Sequence, residues 1–278
     1  MKEEPGNSFE RGSAPDPEPS KIDVSVPHPA RVYDYWLGGK DNFEADRKVA
    51  EAAIAATPGV VMGARENRAF LRRAVSHIAQ QGVTQFLDIG TGIPTAGNTH
   101  EVAQGVNPAA QVVYVDNDPI VMVHARALLR SSTQGRTAYI EADLRDPQSI
   151  LTHPKTLELL DFSKPVAVII VGTLMHIRDE DDPWGAVKQF TDVTCPGSYL
   201  ALTHLTADFE PEKMAALADS YNTGPLLFTN RTHEEVSRFF EGFELVEPGL
   251  VSAAKWRPEE PIPPGAVLGA YAGVGRKI

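Results

Sequence analysis

Cysteine is almost absent from this chain of 278 residues. Cys195 has no second thiol to pair with, so an internal disulfide and a thiolate metal cluster are both excluded. No stretch approaches the roughly 20 apolar residues of a membrane-spanning helix. Acidic residues stand near the N-terminus where a secretory signal would be apolar. We therefore expect a cytoplasmic protein with no metal site and no membrane contact.

Positive charge is also scarce. The 26 lysines and arginines face 37 acidic residues, and the formal net charge is −11. This balance argues against a broad phosphate-binding face, so we expect no nucleic acid partner. Hydrophobic residues make up 42% of the chain, which is enough for a sizeable core. Residues 1–20, with four prolines and several acids, are expected to form a disordered tail.

The hydrophobic pattern divides the rest of the chain in two. Apolar residues at helical spacing predict an N-terminal helical cap over residues 21–82. Beyond it, short apolar runs alternate with helical segments, one of which spans residues 147–160. Strands are predicted at residues 85–89, 111–115, 137–141, 165–171, 198–203, 243–246 and 267–274. This alternation is typical of a doubly wound, mostly parallel α/β sheet, and the last two strands predict an antiparallel ending.

A glycine loop follows the first predicted strand. The strand delivers Asp88, and Gly90, Thr91 and Gly92 come directly after it. Ligands of doubly wound sheets bind beyond the carboxyl ends of the strands, and glycine lets the backbone approach them closely. A lone Gly-x-Gly is a weak signal, since a plain turn from strand to helix explains it too.

Acidic residues at the ends of the next two strands favour a nucleoside site. Asp116 lies 24 residues after Gly92, where a carboxylate can accept hydrogen bonds from both hydroxyls of a ribose. Asp116 could instead cap a helix. Asp143 is placed to accept from an adenine amino group, and the amide of Leu144 is placed to donate to a ring nitrogen.

Two residues of the loop distinguish between candidate cofactors. Thr95 stands where the dinucleotide fingerprint needs a small residue, and Pro94 removes an amide that a pyrophosphate would use. S-adenosylmethionine has no phosphate and carries a sulfonium cation, which suits the acid at Asp88. The loop therefore favours S-adenosylmethionine over a dinucleotide.

Three motifs resemble the cofactor motifs of class I methyltransferases: FLDIGTG at 86–92, YVDND at 114–118 and ADL at 142–144. A further set, ARVYDYWLGGKDNF at 30–43, ARENR at 64–68 and GIPT at 92–95, is similar to the actinobacterial S-adenosyl methyltransferase family. This similarity spans about residues 29–276. Pro94 departs from the class pattern, which has a third glycine there.

The resemblance implies a Rossmann-like, doubly wound, seven-stranded and mostly parallel sheet with a C-terminal antiparallel strand, behind an N-terminal helical cap. Residues 83–278 would form the class I methyltransferase domain. The expected S-adenosylmethionine-binding residues are Asp88, Gly90, Thr91, Gly92, Asp116, Asn117, Asp143, Leu144 and Gly172.

Catalytic and acceptor residues are less clearly marked. His176 follows the central strand and could act as a general base, although a packing role explains it equally well. His204 is a weaker candidate. Arg68 could bind a carboxylate of cofactor or acceptor. The residues expected to contact the acceptor or form a lid are Tyr33, Tyr35, Trp36, Lys40, Asn42 and Arg65, with Gly38 and Gly39 as a candidate hinge.

These features predict in-line methyl transfer from S-adenosylmethionine to a small molecule, because methyl transfer needs positioning but no covalent nucleophile. A regulatory protein that binds the cofactor without turnover is the first alternative. An NAD(P)-dependent oxidoreductase is the second, although the chain lacks both a small residue at Thr95 and a Tyr-x-x-x-Lys proton donor.

Overall fold

Helices and strands alternate in the computed structural model, which describes residues 22–128, 133–222, 226–262 and 269–278. The tail predicted at residues 1–20 lies outside this range. The helices of the described residues are α1 (Pro29–Trp36), α2 (Glu44–Ala56), α3 (Val60–Gln80), α4 (Thr99–Val106), α5 (Pro119–Leu128), α6 (Pro147–Leu151), α7 (Pro154–Leu159), α8 (Pro183–Asp192), α9 (Pro211–Tyr221) and α10 (His233–Ser237).

Eight strands form one sheet in the described residues. They are β1 (Gln85–Ile89), β2 (Gln111–Asp116), β3 (Arg136–Glu141), β4 (Ala167–Ile170), β5 (Tyr199–Leu205), β6 (Phe243–Leu245), β7 (Val251–Ser252) and β8 (Ala270–Lys277). Single turns of 3-10 helix lie at Leu174–His176, Asp179–Asp181, Arg238–Phe240 and Ala253–Lys255.

The strand order is β3-β2-β1-β4-β5-β8-β6, and β7 also pairs with β8. Strands β1 to β5 pair in parallel, whereas β8 runs antiparallel to β5, β6 and β7. The predicted fold class is therefore confirmed, including its antiparallel C-terminal strand. The sheet contains one strand more than the seven expected. This strand, β7, has only two residues, which are too few to show a hydrophobic alternation in the sequence.

Both faces of the sheet are covered, which explains the continuous apolar runs of its central strands. Leu87 and Ile89 of β1 pack into one cluster of buried side chains, and Phe86 packs into the cluster on the opposite face. Every residue of β1 and β4 is buried. Asp88 is the second-last residue of β1 and is therefore held by a strand that is buried on both faces.

One predicted helix is wrong in its extent. Residues 147–160 form two short helices, α6 and α7, because Pro154 has no amide hydrogen and disfavours helical backbone at His153. The side chain of His153 accepts from the amide of Lys155 and so begins α7.

The N-terminal helices share an apolar cluster with the C-terminal part of the chain. Its members are Val32, Trp36, Ala50, Ala53, Val60, Ala64, Met175, Met214, Leu217, Tyr221, Leu226 and Phe228. Helix α3 also packs against the sheet through Phe70 and Ala74. Whether residues 21–82 form a cap distinct from the domain at 83–278 stays a prediction. No helix in the described ranges has both the length and the apolar character to cross a membrane, and a cytoplasmic location also stays a prediction.

A chain of buried hydrogen bonds ties α1 and α3 to the sheet. The Tyr33 hydroxyl donates to the carbonyl of Ala64 (2.8 Å) and accepts from Asn67 Nδ2 (3.0 Å). Asn67 Oδ1 in turn accepts from the hydroxyl of Thr203 (2.7 Å), which accepts from the amide of Gly172 (2.9 Å). Burial raises the pKa of Tyr33 to about 12, so its hydroxyl stays protonated in this chain of bonds.

Replacing the central amide should weaken this connection. We expect Asn67→Leu to lower the free energy of unfolding by about 1–3 kcal/mol, because it leaves the buried Thr203 hydroxyl without its acceptor. Gln80→Leu, at the exposed end of the same helix, should change it by less than about 0.5 kcal/mol. Urea unfolding of both variants checks this, and equal effects would contradict it.

Candidate active site

A cavity of about 520 Å³ opens where β1 to β4 reach the carboxyl edge of the sheet. Its polar half contains all nine residues expected to bind the cofactor: Asp88, Gly90, Thr91, Gly92, Asp116, Asn117, Asp143, Leu144 and Gly172. Its apolar half lies against α1, α3 and α9 and is lined by Trp36, Val60, Met175, Met214, Leu217, Tyr221, Leu226 and Phe228.

The glycine loop after β1 needs its glycines for two different reasons. Gly90 and Gly92 both have positive φ, at 73° and 69°. A Cβ on Gly90 would stand 2.1 Å from Thr173 Oγ1, so this glycine permits the close approach of the next loop. A Cβ on Gly92 would meet nothing within 4 Å, so Gly92 leaves open space in the cavity wall.

Asp116 holds this loop in place. Its Oδ2 accepts from the amide of Gly92 (2.8 Å) and its Oδ1 from the amide of Asp118 (2.9 Å). Burial raises the pKa of Asp116. The role of helix cap falls to Asp118, whose Oδ1 accepts from the amide of Ile120 at the start of α5.

Asp88 lies buried at the end of β1. The hydroxyl of Thr99 donates to its Oδ2 (2.5 Å), and burial raises its pKa to about 6. Arg68 is near enough to lower this pKa, and Asp116 acts in the opposite direction. The Nη2 atom of Arg68, which also lines the cavity, is buried without a hydrogen-bond partner in the described part of the chain.

Asp143 already has a partner in this structure. Its two oxygens accept from the amide, Nε and Nη2 of Arg145 at 2.7–3.0 Å. These bonds lower the pKa of Asp143. A contact with an adenine amino group would have to share the carboxylate with Arg145.

An N-terminal strap, residues 26–30, lines the cavity from the outside. Arg31 fixes it: Nη2 donates to the carbonyl of Val26 (3.1 Å) and Nε to Asp118 Oδ2 (3.1 Å). His28 Nδ1 lies 3.0 Å from the same Asp118 oxygen. The sequence did not predict this role for Arg31. The buried Arg31 bonds to Asp118 and so holds the strap against the loop that follows β2.

His176 lines the cavity in the turn Leu174–His176, directly after β4. Its ring packs against Phe228 (5.1 Å between centroids) and Tyr221 (6.0 Å). His204, the weaker candidate, is outside the lining. Its Nδ1 bonds to the carbonyl of Leu205 (2.8 Å) and its Nε2 to Arg231, so it has a structural role.

The residues expected near the acceptor divide into two groups. Tyr33 and Trp36 line the cavity. The cavity lining does not include the other four, Tyr35, Lys40, Asn42 and Arg65, within the ranges that the structure describes. The Tyr35 hydroxyl donates to Glu51, and Lys40 and Arg65 are exposed.

The predicted hinge is a loop folded around Asp34. Asp34 Oδ2 accepts from the amide of Asp41 (3.0 Å) and from Asn42 Nδ2 (2.8 Å). A Cβ on Gly39 would stand 1.9 Å from Asp34 Oδ1, which is why glycine is required there. Gly38 has a φ of 84°. The polar residues of this loop thus serve the loop itself, and a lid motion stays a prediction.

No group of three or more His, Cys, Asp or Glu side chains in the described ranges is arranged to hold a metal ion. The strand order, the glycine loop after β1 and the acids at the ends of β2 and β3 place the protein in the class of Rossmann-like, doubly wound α/β proteins, whose ligands bind at this edge of the sheet.

Comparison with known proteins gives the family. The model of the S-adenosyl methyltransferase family matches residues 15–278, and the chain belongs to this family. S-adenosylmethionine is therefore its cofactor. This membership decides against the dinucleotide alternative.

Solved structures agree with this assignment. A DUF574 family protein from Streptomyces avermitilis is 44% identical, with a TM-score of 0.90 over 93% of this chain and 100% of that one. A putative methyltransferase from Thermobifida fusca is 46% identical, with a TM-score of 0.84 over 92% and 96%. The plantazolicin methyltransferase, at 12% identity and a TM-score of 0.50, shares the fold. No curated protein matches the sequence.

The open space at Gly92 can be tested directly. We expect Gly92→Ala to weaken S-adenosylhomocysteine binding about tenfold or more, because its methyl group would enter the cavity. Gly82→Ala is the matched control, since Gly82 also has positive φ with nothing near its Cβ position but lies outside the cavity lining. Both variants should lose about 1–2 kcal/mol of stability from backbone strain. Calorimetric titration checks the difference, and unchanged binding by Gly92→Ala would contradict it.

Proposed function

We propose that the protein transfers the methyl group of S-adenosylmethionine, in line, to a small-molecule acceptor bound in the apolar half of the cavity. The observation that carries this proposal is the continuity of the two halves in one cavity of about 520 Å³. This volume lies within the roughly 300–1,000 Å³ typical of small-molecule sites.

The residues of the polar half fit the cofactor. The unpartnered Nη2 of Arg68 suits the carboxylate of the methionine part, and the open face of Gly92 leaves room for it. Each oxygen of Asp116 accepts one amide and keeps a second lone pair for a ribose hydroxyl. The proposed adenine contacts are Asn117, Asp143 and Leu144, and Gly172 completes the lining near Thr173.

When bound, S-adenosylmethionine supplies an electrophilic methyl group on a sulfonium. Asp88, once ionised, stabilises positive charge in the polar half. The faces of Tyr33 and Trp36 attract a cation, and the apolar half excludes water from the acceptor. Positioning of two reactants accounts for the transfer, so no residue of the chain has to form a covalent bond.

Titration calorimetry tests the proposed function. We expect binding of S-adenosylmethionine and S-adenosylhomocysteine but not of NAD(P). Asp116→Ala should weaken binding about tenfold or more, because it removes the ribose acceptor and frees the Gly92 amide. Asp192→Ala, an exposed acid paired with Lys188, should bind normally. Tight NAD(P) binding without S-adenosyl ligands would overturn the proposal. Binding with no methylated product from metabolite extracts would favour the regulatory alternative.

The pKa of Asp88 gives a pH-dependent prediction. Because its pKa in the free protein is raised to about 6, the acid is neutral below pH 6 and ionised above it. The contribution of this raised pKa to the free energy of unfolding is fully present below about pH 4. It is lost as the pH rises through 6. A sulfonium favours the ionised form.

We therefore expect the affinity ratio of S-adenosylmethionine to S-adenosylhomocysteine to fall as the pH drops from 7.5 to 5. The two ligands share the same amino-acid part, so their ratio isolates the sulfonium charge. Asp88→Asn should abolish this pH dependence while keeping an acceptor for the Thr99 hydroxyl. A ratio that is constant with pH in the unmodified protein would contradict the role of Asp88.

A further inference from the structure

The hydrogen bond made by His176 fixes which of its nitrogens carries the proton. Nδ1 lies 2.8 Å from the carbonyl oxygen of Leu227, and a carbonyl can only accept. Nδ1 therefore carries the hydrogen, and Nε2 presents a lone pair. Nε2 has no hydrogen-bond partner among the described residues, and the ring lines the cavity.

A buried arginine holds the turn that carries this histidine. Arg231 donates through Nη1 to the carbonyl of Leu174 (3.2 Å) and through Nη2 to the carbonyl of Ile177 (3.0 Å). The amide of Thr229 donates to the carbonyl of Met175 (2.8 Å). Because carbonyls on both sides of His176 are fixed, its ring has a defined position relative to the cavity.

The surroundings of the ring are aromatic. Tyr221 and Phe228 stack with their centroids 3.6 Å apart, and Trp36 lies 6.2 Å from Tyr221 and 6.4 Å from Phe228. Burial lowers the pKa of His176 to about 4, so the imidazole is neutral at physiological pH. A flat apolar molecule could pack against these rings. If it carried one hydrogen-bond donor, that donor could bond to the lone pair of His176 Nε2.

Charge is unfavourable for an anionic acceptor in the apolar half. Of the arginines that line the cavity, Arg145 is bonded to Asp143, and Arg68 is close to Asp88. Both thus belong to the polar half. The other charged side chains in the lining include Glu66, which repels a carboxylate, and Glu210, which pairs with Lys213.

We propose that the methyl acceptor is an uncharged aromatic molecule whose nucleophilic hydroxyl donates a hydrogen bond to His176 Nε2. This inference rests on the proposed function and narrows it to a class of acceptor.

The transfer balances with His176 as the proton acceptor. The acceptor oxygen forms a bond to the methyl carbon as the bond from that carbon to sulfur breaks, and sulfur keeps the electron pair. The positive charge passes from the sulfonium to the methylated acceptor. The acceptor proton then moves to Nε2 and from there to solvent, while Nδ1 keeps its hydrogen bond to Leu227.

A weak base is sufficient for a neutral acceptor but not for an ammonium ion. A hydroxyl has a lone pair before it loses its proton, and its acidity rises greatly once the new bond forms. An alkylammonium ion has no lone pair until it loses a proton, and its pKa is about 10. Transfer of that proton to His176, whose own pKa is lowered by burial, is strongly disfavoured.

Calorimetric titration of the protein saturated with S-adenosylhomocysteine tests the proposal with defined probes. The probes are naphthalen-2-ol, indole, naphthalene, 2-naphthoate and 2-(aminomethyl)naphthalene. We expect naphthalen-2-ol and indole to bind about five- to tenfold more tightly than naphthalene, as one hydrogen bond implies, and 2-naphthoate to bind more weakly than naphthalene. With S-adenosylmethionine in place of S-adenosylhomocysteine, naphthalen-2-ol should be methylated and 2-(aminomethyl)naphthalene should not. Indole reports the hydrogen bond alone, because the lone pair of its nitrogen belongs to the aromatic ring.

Variants of His176 show whether this preference depends on Nε2. His176→Phe should bind naphthalen-2-ol no more tightly than naphthalene, whereas His176→Gln, whose amide oxygen can accept, should keep part of the preference. His77→Phe, a histidine beside Trp256 outside the cavity lining, should behave as the unmodified protein. A cooperative thermal unfolding transition in every variant shows that each is folded.

Three results would overturn the proposal while leaving the proposed function intact. They are tighter binding of 2-naphthoate than of naphthalene, a preference that survives in His176→Phe, and failure of all five probes to bind the S-adenosylhomocysteine complex. Failure of S-adenosylhomocysteine itself to bind would instead overturn the proposed function.

Discussion

The carboxylate of Asp116 fixes the geometry on which the polar half of the cavity depends. One oxygen holds the amide of Gly92 and the other holds the amide of Asp118, so a single side chain sets the path of two loops at the edge of the sheet. Asp118 in turn anchors Arg31, which fastens the N-terminal strap. The glycine loop, the start of α5 and the strap are therefore positioned together, and the glycine loop and the strap both line the cavity.

The apolar half depends on a different part of the chain. Helix α9 and residues 226–228 bring Tyr221 and Phe228 beside Trp36 of α1, and Arg231 fixes the turn that carries His176. The bonds from Tyr33 through Asn67 and Thr203 to Gly172 join this wall to the polar half. Because the two halves use separate residues, we expect substitutions in the apolar wall to leave the polar half intact.

The residues that line the polar half could be predicted to lie together because each of them is next to the end of a strand. Each of its acids or glycines follows a strand whose apolar pattern is visible in the sequence, and parallel strands bring their carboxyl ends together. The apolar half could not be predicted in the same way. Phe228 and Arg231 lie more than fifty residues after His176, and only tertiary packing brings them to it. The loop around Asp34 looked like a ligand contact because its residues are polar, whereas they satisfy one another.

A crystal structure of the protein with S-adenosylhomocysteine tests the account most directly. The account predicts ribose hydroxyls within hydrogen-bond distance of Asp116, the amino-acid carboxylate at Arg68 and the sulfur facing the apolar half beside His176. A ligand bound elsewhere, or one whose sulfur faces away from the apolar half, would contradict it.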